Sequence, residues 1–155
     1  MKAMPTLQGG LRIDAEDPDD WDLLRAIIAD AQESDLASRL GSLISEEAGA
    51  EDWEELVVPD LREGFQDNLA EVGASIEAAI VHADGEPGPL WITPEDAFAW
   101  YSALNQARLA LEERHRFGPS ERLDPKRLTP ERGTAFFRSK FYCAIQGLLL
   151  EYVMK

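Results

Sequence analysis

Apolar residues recur every three or four positions through most of the 155-residue chain, and that period predicts a helical protein. Asp17-Pro18 opens the first helix. An Asp can cap the first turn, a Pro loses nothing at the first helical position, and the acids at 19, 20 and 22 face the positive end of the dipole. Trp21, Leu24, Ile27 and Ile28 form its inner face. Leu36, Leu40, Leu43 and Ile44 form a second stripe. Leu61, Phe65, Leu69, Val72, Ile76 and Ile80 hold one seam along a third helix, preceded by Trp53, Leu56 and Val57, with Pro59 starting or kinking it. Thr93-Pro94-Glu95-Asp96 and Thr129-Pro130-Glu131-Arg132 repeat one start device, a Thr cap followed by Pro. They predict a fourth helix from Pro94 to about Arg116, ended by Gly118-Pro119, and a fifth from Pro130 to near the end of the chain. In the fifth, Phe137, Phe141, Ile145, Leu148 and Tyr152 share a face, and Phe136, Cys143, Leu150 and Val153 make a second. A helix apolar on more than one side is central or is covered by another chain.

Two short pieces, Leu11-Arg12-Ile13 and Leu90-Trp91-Ile92, each precede a helix and could pair as a minimal two-stranded ladder. The expected fold class is therefore all-α: an orthogonal or irregular bundle of about five helices, with at most this one β pairing, in a single domain over 1–155. Helices three, four and five should form the core, with Trp21, Phe65, Leu69, Leu104, Phe137, Phe141 and Ile145 buried.

Composition narrows the function. A hydrophobic fraction of 45% supports a packed core and excludes intrinsic disorder. The net charge of −15 excludes a free-standing nucleic-acid binder, because phosphate demands the opposite sign. Charge is uneven: residues 1–84 carry 5 basic and 21 acidic side chains, whereas 85–155 carry 10 and 9. The Gly/Pro-rich 82–89 marks the change. The basic stretch 108–140 should complement the acidic surface of its own chain or of a symmetry mate. The first ten residues lack the apolar run of a secretory signal, and charges break the apolar window at 141–153 well short of a bilayer span. The expectation is a cytoplasmic protein with no membrane contact. Cys143, the one cysteine, is expected to be a small buried side chain.

Catalytic and metal motifs are missing. Glu112 and His115 have the i, i+3 spacing of di-iron bundles, but no second such pair exists. His82-Ala-Asp84-Gly-Glu86 reads as a solvated acidic turn. No phosphate-cradling loop or nucleophile elbow is present, so no cofactor, metal or catalytic residue is expected. One position breaks the pattern: on helix four the stripe Ala97, Tyr101, Leu104, Leu111 passes through Arg108, with Asn105 on its flank. A core-facing arginine needs an acid, a set of carbonyls or a bound anion. The alternatives are an ion pair with the acidic half, a stem reaching the rim, or a small anion pocket lined by Asn105 and Arg108.

Leu104-Asn105-Gln106-Ala107-Arg108-Leu109-Ala110-Leu111, preceded by Thr93-Pro94-Glu95-Asp96-Ala97-Phe98-Ala99-Trp100, resembles the central signature of a bacterial family of domains of unknown function. The likeness extends to the final helix at Phe141, Tyr142 and Gln146, and it is clearest over 90–153. Members often carry Asp where this chain has Gln106. The resemblance implies a helical fold, a mainly actinobacterial distribution, and genes beside that of the ClpS protease adaptor and near sulfur-carrier and cysteine-synthesis genes. It implies no activity, and it marks Asn105 and Arg108 as signature residues of undefined role.

Two functional classes follow. The first is a non-enzymatic protein-interaction or regulatory module, self-associating or held by a protein partner, with Phe136, Leu150 and Val153 as its surface. The second is a regulator that binds an anion or small molecule around Asn105 and Arg108.

Overall fold

The computed structural model describes residues 1–48 and 55–155, so Trp53 lies outside the described residues. Strand β1 (Lys2–Pro5) and strand β2 (Leu11–Ala15) precede helices α1 (Pro18–Gln32), α2 (Leu36–Ala48) and α3 (Val58–His82). Strand β3 (Gly88–Ile92), helix α4 (Ala97–His115), two short 3-10 turns, and helix α5 (Pro130–Leu148) follow, and a π-helical turn (Leu149–Val153) extends α5. The protein is thus mainly helical, with five α-helices among the described residues and a small antiparallel sheet.

The expected ladder is present, with Leu11 opposite Ile92 and Ile13 opposite Leu90. Leu11, Ile13 and Ala15 point into the core, while Arg12 stands outside, its guanidinium 5.0 Å from the Trp91 ring centre. The sheet has one strand more than expected. β1 pairs with β2 as an edge, and its Lys-Ala-Met-Pro run is too polar and short to announce itself. The tight turn between them needs glycine at Gly10, where a Cβ would lie 2.4 Å from the Ile92 carbonyl oxygen. The N-terminal ammonium is held by Glu16 at 2.9 Å and Asp20 at 3.2 Å.

The Asp17 cap forms as expected, its Oδ1 accepting from Asp20 N at 3.0 Å. Pro59 lies in the first turn of α3 and starts the helix. The Thr129 cap accepts from Arg132 N at 3.3 Å. The other Thr-Pro device behaves differently. Asp96 N donates to the Thr93 carbonyl at 3.0 Å and Thr93 Oγ1 donates to the Asp96 carboxylate at 2.9 Å. That closed turn postpones α4 to Ala97. The helix ends as expected, with Arg116 left-handed at φ 49°.

Helix α4 is central. Trp100, Leu104 and Leu111 sit in the core beside Ala99, Ala103 and Ala107, and these small residues let α1, α3 and α5 pack closely around it. Trp21 is buried and its Nε1 donates to the Glu86 carbonyl at 3.0 Å, tying α1 to the loop before β3. Leu69, Leu104 and Ile145 are buried as expected, while Phe65 is half-buried.

Helix α5 is turned away from its expected phase. Ala135, Tyr142, Ile145 and Gln146 face inward, joined by Leu149 of the π-turn. Phe137, expected in the core, is 62% exposed, Phe141 is half-buried, and Cys143 is exposed. The cause is that the inner face carries polar side chains with internal partners. Leu43 of α2 is also exposed. Among the described residues no helix is long and apolar enough to cross a membrane.

Candidate functional site

Four places on this frame combine chemistry with accessibility. At the α4–α5 contact, Arg108 Nη1 donates to Gln146 Oε1, and Gln146 Nε2 donates to the Tyr101 carbonyl at 3.3 Å. Arg108 Nε is buried and has no hydrogen-bond partner. Among the described residues Arg108 makes no ion pair, so of the alternatives for its partner the carboxylate is not realised and a neutral amide stands there instead. Asn105 is half-buried on the same helix and its side chain makes no hydrogen bond with a described residue.

The carboxylate of the acidic half goes to another arginine. Asp30, only 8% exposed on α1, receives Arg138 Nε at 2.8 Å and Nη2 at 3.0 Å, and the Tyr142 hydroxyl at 2.7 Å. Burial pushes the Tyr142 phenol far above its usual range, and its bond to Asp30 adds to the shift. Arg138's own hydrogen bonds to Asp30 raise its guanidinium above the ordinary value. A cavity of about 70 Å³ adjoins this cluster, walled by Asp30, Arg138, Arg114 and His115, with room for one or two waters. Asp30 lies three residues beyond Ile27 on the inner stripe of α1, so an acid on an apolar face was the readable signal.

A larger cavity of about 660 Å³ lies between α1, α2 and α3, above the buried Gln106 of α4. Its walls join apolar Ile28, Leu36, Phe65 and Leu69 with polar Gln32, Ser34 and Gln66, and Glu33, Asp35 and Arg62 stand at its rim. Arg62 Nη2 donates to Asp35 at 2.9 Å, which holds that carboxyl below its usual range.

The fourth place is the outer face of α5. Lys140, Ala144, Gly147 and Glu151 are exposed there, flanked by Phe137. Of the expected interaction residues, Leu150 is 51% exposed and Val153 is half-buried against the core. Phe136 is half-buried edge-on against Phe117, with the Lys140 ammonium 5.3 Å from its ring centre.

The Glu-x-x-His pair has structural partners. Glu112 accepts from Gly118 N at 3.0 Å, and His115 stacks on Phe117 with ring centres 5.4 Å apart. No group of three or more His, Cys, Asp or Glu among the described residues is arranged to hold a metal ion.

These features define a mainly helical domain with a small clasping sheet and polar seams buried between its helices. The chain belongs to the family described as a domain of unknown function (DUF2017), whose model matches residues 1–153. Membership therefore covers the β-sheet and the acidic helices as well as the signature region 90–153. No curated protein and no solved structure matches the chain.

Proposed function

We propose that this protein is a non-enzymatic interaction module that works by self-association through the outer face of α5. The supporting observation is the row Lys140, Ala144, Gly147, Glu151, exposed along the helix and its π-turn. Its spacing of four, three and four reads the same in both directions. A two-fold axis between Ala144 and Gly147 would therefore set each Lys140 opposite the partner's Glu151. The small residues at the centre permit close approach of two helices, and Phe137 at the flank supplies apolar area. Neither Lys140 nor Glu151 is ion-paired within its own chain among the described residues. A cytoplasmic regulatory contact of this kind also fits the bacterial gene neighbourhood, beside the ClpS adaptor, that the family resemblance implies.

Light scattering coupled to size exclusion tests this. A dimer of the 17.3 kDa chain is expected. Lys140→Glu and Glu151→Lys each set like charges opposite one another and should weaken association at least about tenfold. The double exchange should restore it. A strict monomer at every concentration, or a dimer indifferent to all three variants, overturns the reading.

A second reading has its own observation. The half-buried guanidinium of Arg108 is compensated by no carboxylate among the described residues, so an anion meeting its accessible edge would balance it and the protein would act as an anion-binding regulator. Sulfate should then shift amide resonances around Asn105 and Arg108, and Arg108→Gln should abolish the shift. Unchanged spectra up to high sulfate discard it.

A further inference from the structure

The cavity between α1, α2 and α3 has a polar atom at its base that the fold leaves unused. Gln106 is 6% exposed and lines the cavity from α4. Its Nε2 donates to the Phe65 carbonyl at 3.3 Å and to Ser102 Oγ at 3.2 Å. The carbonyl partner can only accept, so it fixes which end of the amide is nitrogen. The other end, Oε1, accepts no hydrogen bond from any described residue. Unlike Trp100 Nε1, Arg108 Nε and Arg132 Nε, it is not sealed in. Its acceptor capacity is therefore open to the cleft, where a ligand N–H can take the place of water.

The walls above it select the rest of the molecule. Ile28, Leu36, Phe65 and Leu69 form an apolar strip between polar Gln32 and Gln66, and Gly73 opens the wall where a side chain would narrow it. A neighbouring cavity of about 360 Å³ shares Ile28, Gln32 and Gly73, so the cleft continues along the α1–α3 seam. Arg25 and Glu77, joined by two 2.8 Å hydrogen bonds, stand at its far end. The volume suits a small ligand. At the rim, Glu33 and Asp35 outnumber Arg62, which is already held by Asp35 and Ser38. The whole chain carries −15. An anionic head would be repelled, whereas a neutral or cationic one would be drawn in.

We infer that this cleft is a binding site for a small molecule with an apolar tail and an N–H head, a primary amide or an alkylammonium, whose head donates to Gln106 Oε1. The inference is independent of the α5 surface and of Arg108.

Three probes that share a tail separate the possibilities: octanamide, octylammonium and octanoate, each titrated into the isotope-labelled protein. The amide and the ammonium should shift the Gln106 side-chain resonances and the methyls of Ala70 and Ala74, and octanoate should bind at least about tenfold more weakly. Ala70→Trp, at an exposed wall position, should abolish binding with the fold intact. Gln106→Leu should keep the tail's affinity and erase the preference for the N–H head. If Gln106→Leu does not fold, the probe series and Ala70→Trp still decide. Octanoate binding as tightly as octanamide, binding indifferent to Ala70→Trp, or no shift with any probe overturns the inference. So does a cleft that ignores all three probes and instead accepts an amphipathic helical peptide.

Discussion

Two arginines lie against the inner layer of α5, and the fold treats them differently. Arg138 reaches Asp30 of α1 with two hydrogen bonds, and Tyr142 completes the carboxylate with a third. Arg108 of α4 reaches only the Gln146 amide and leaves its buried Nε unpaired. The first cluster is closed: positive charge meets negative charge and each hydrogen-bonding direction used is satisfied. The second is open, a positive charge facing a dipole. A closed buried pair registers one helix against another, whereas Arg108 keeps a positive charge that no carboxylate among the described residues balances. The contrast also separates the segments they join, since Asp30 and Arg138 link residues 108 positions apart.

The largest effect should come from removing the centre of the closed cluster. Asp30→Ala leaves Arg138 without its anion and the Tyr142 hydroxyl without its acceptor. Loss of one member of a buried pair costs about 3–5 kcal/mol, and urea denaturation should show it as a lower midpoint with an unchanged slope. The Arg138 side chain is about a quarter exposed (26%), so water recovers part of the loss and the lower end of that range is expected. A cost under about 1 kcal/mol would mean the cluster is no more than a surface pair and would erase the contrast with Arg108.

Tyr142→Phe removes only the third hydrogen bond. A bond to a charged acceptor contributes about 1.5–3 kcal/mol. The variant also tests a pH dependence. Burial and the bond to Asp30 raise the phenol in the folded state above its ordinary value of 10.0. The unfolded chain therefore loses the proton first as pH rises. This stabilisation is complete below pH 10 and declines above it. Wild type should lose stability steadily above that pH, and Tyr142→Phe should show a shallower alkaline slope. Parallel slopes in the two proteins would remove Tyr142 from the account.

Helix ends were readable because their chemistry is local. Asp17 and Thr129 announce caps within four residues, and the Leu-x-Ile repeats announce two paired strands. The Thr93-Pro94 device points to a helix start three residues too early, because the Thr93 hydroxyl bonds to the Asp96 carboxylate in a turn ahead of the helix. The phase of α5 was not readable from hydrophobicity. Tyr142, Gln146 and the stem of Arg138 point inward only because Asp30, Tyr101 and Arg108 await them from other elements. Counting apolar residues on that helix brings Phe137 inward and these outward. The candidate site was half legible for the same reason. A charge on an apolar stripe identifies Arg108, but its pairing with Gln146 depends on two helices meeting. The cavity over Gln106 depends on four segments, and no single stretch carries its signal.

The smallest effect should come from the open arginine. Arg108→Met keeps a flexible stem of similar reach and removes the charge. It leaves the buried Gln146 Oε1 without its charged donor, a loss of about 1.5–3 kcal/mol. It also removes the buried Nε that has no partner, and that gain offsets the loss. The two terms should cancel to within about 1 kcal/mol, whereas Arg138→Met should approach the cost of Asp30→Ala, because it strands a buried carboxylate. Denaturation midpoints measured side by side decide the matter. If Arg108→Met proves as damaging as Arg138→Met, the α4–α5 arginine is a structural member of the core and no outside anion is needed to explain its place. If the midpoint is unchanged, the charge at Arg108 contributes little to folding, and its position on the inner layer calls for a role in recognition.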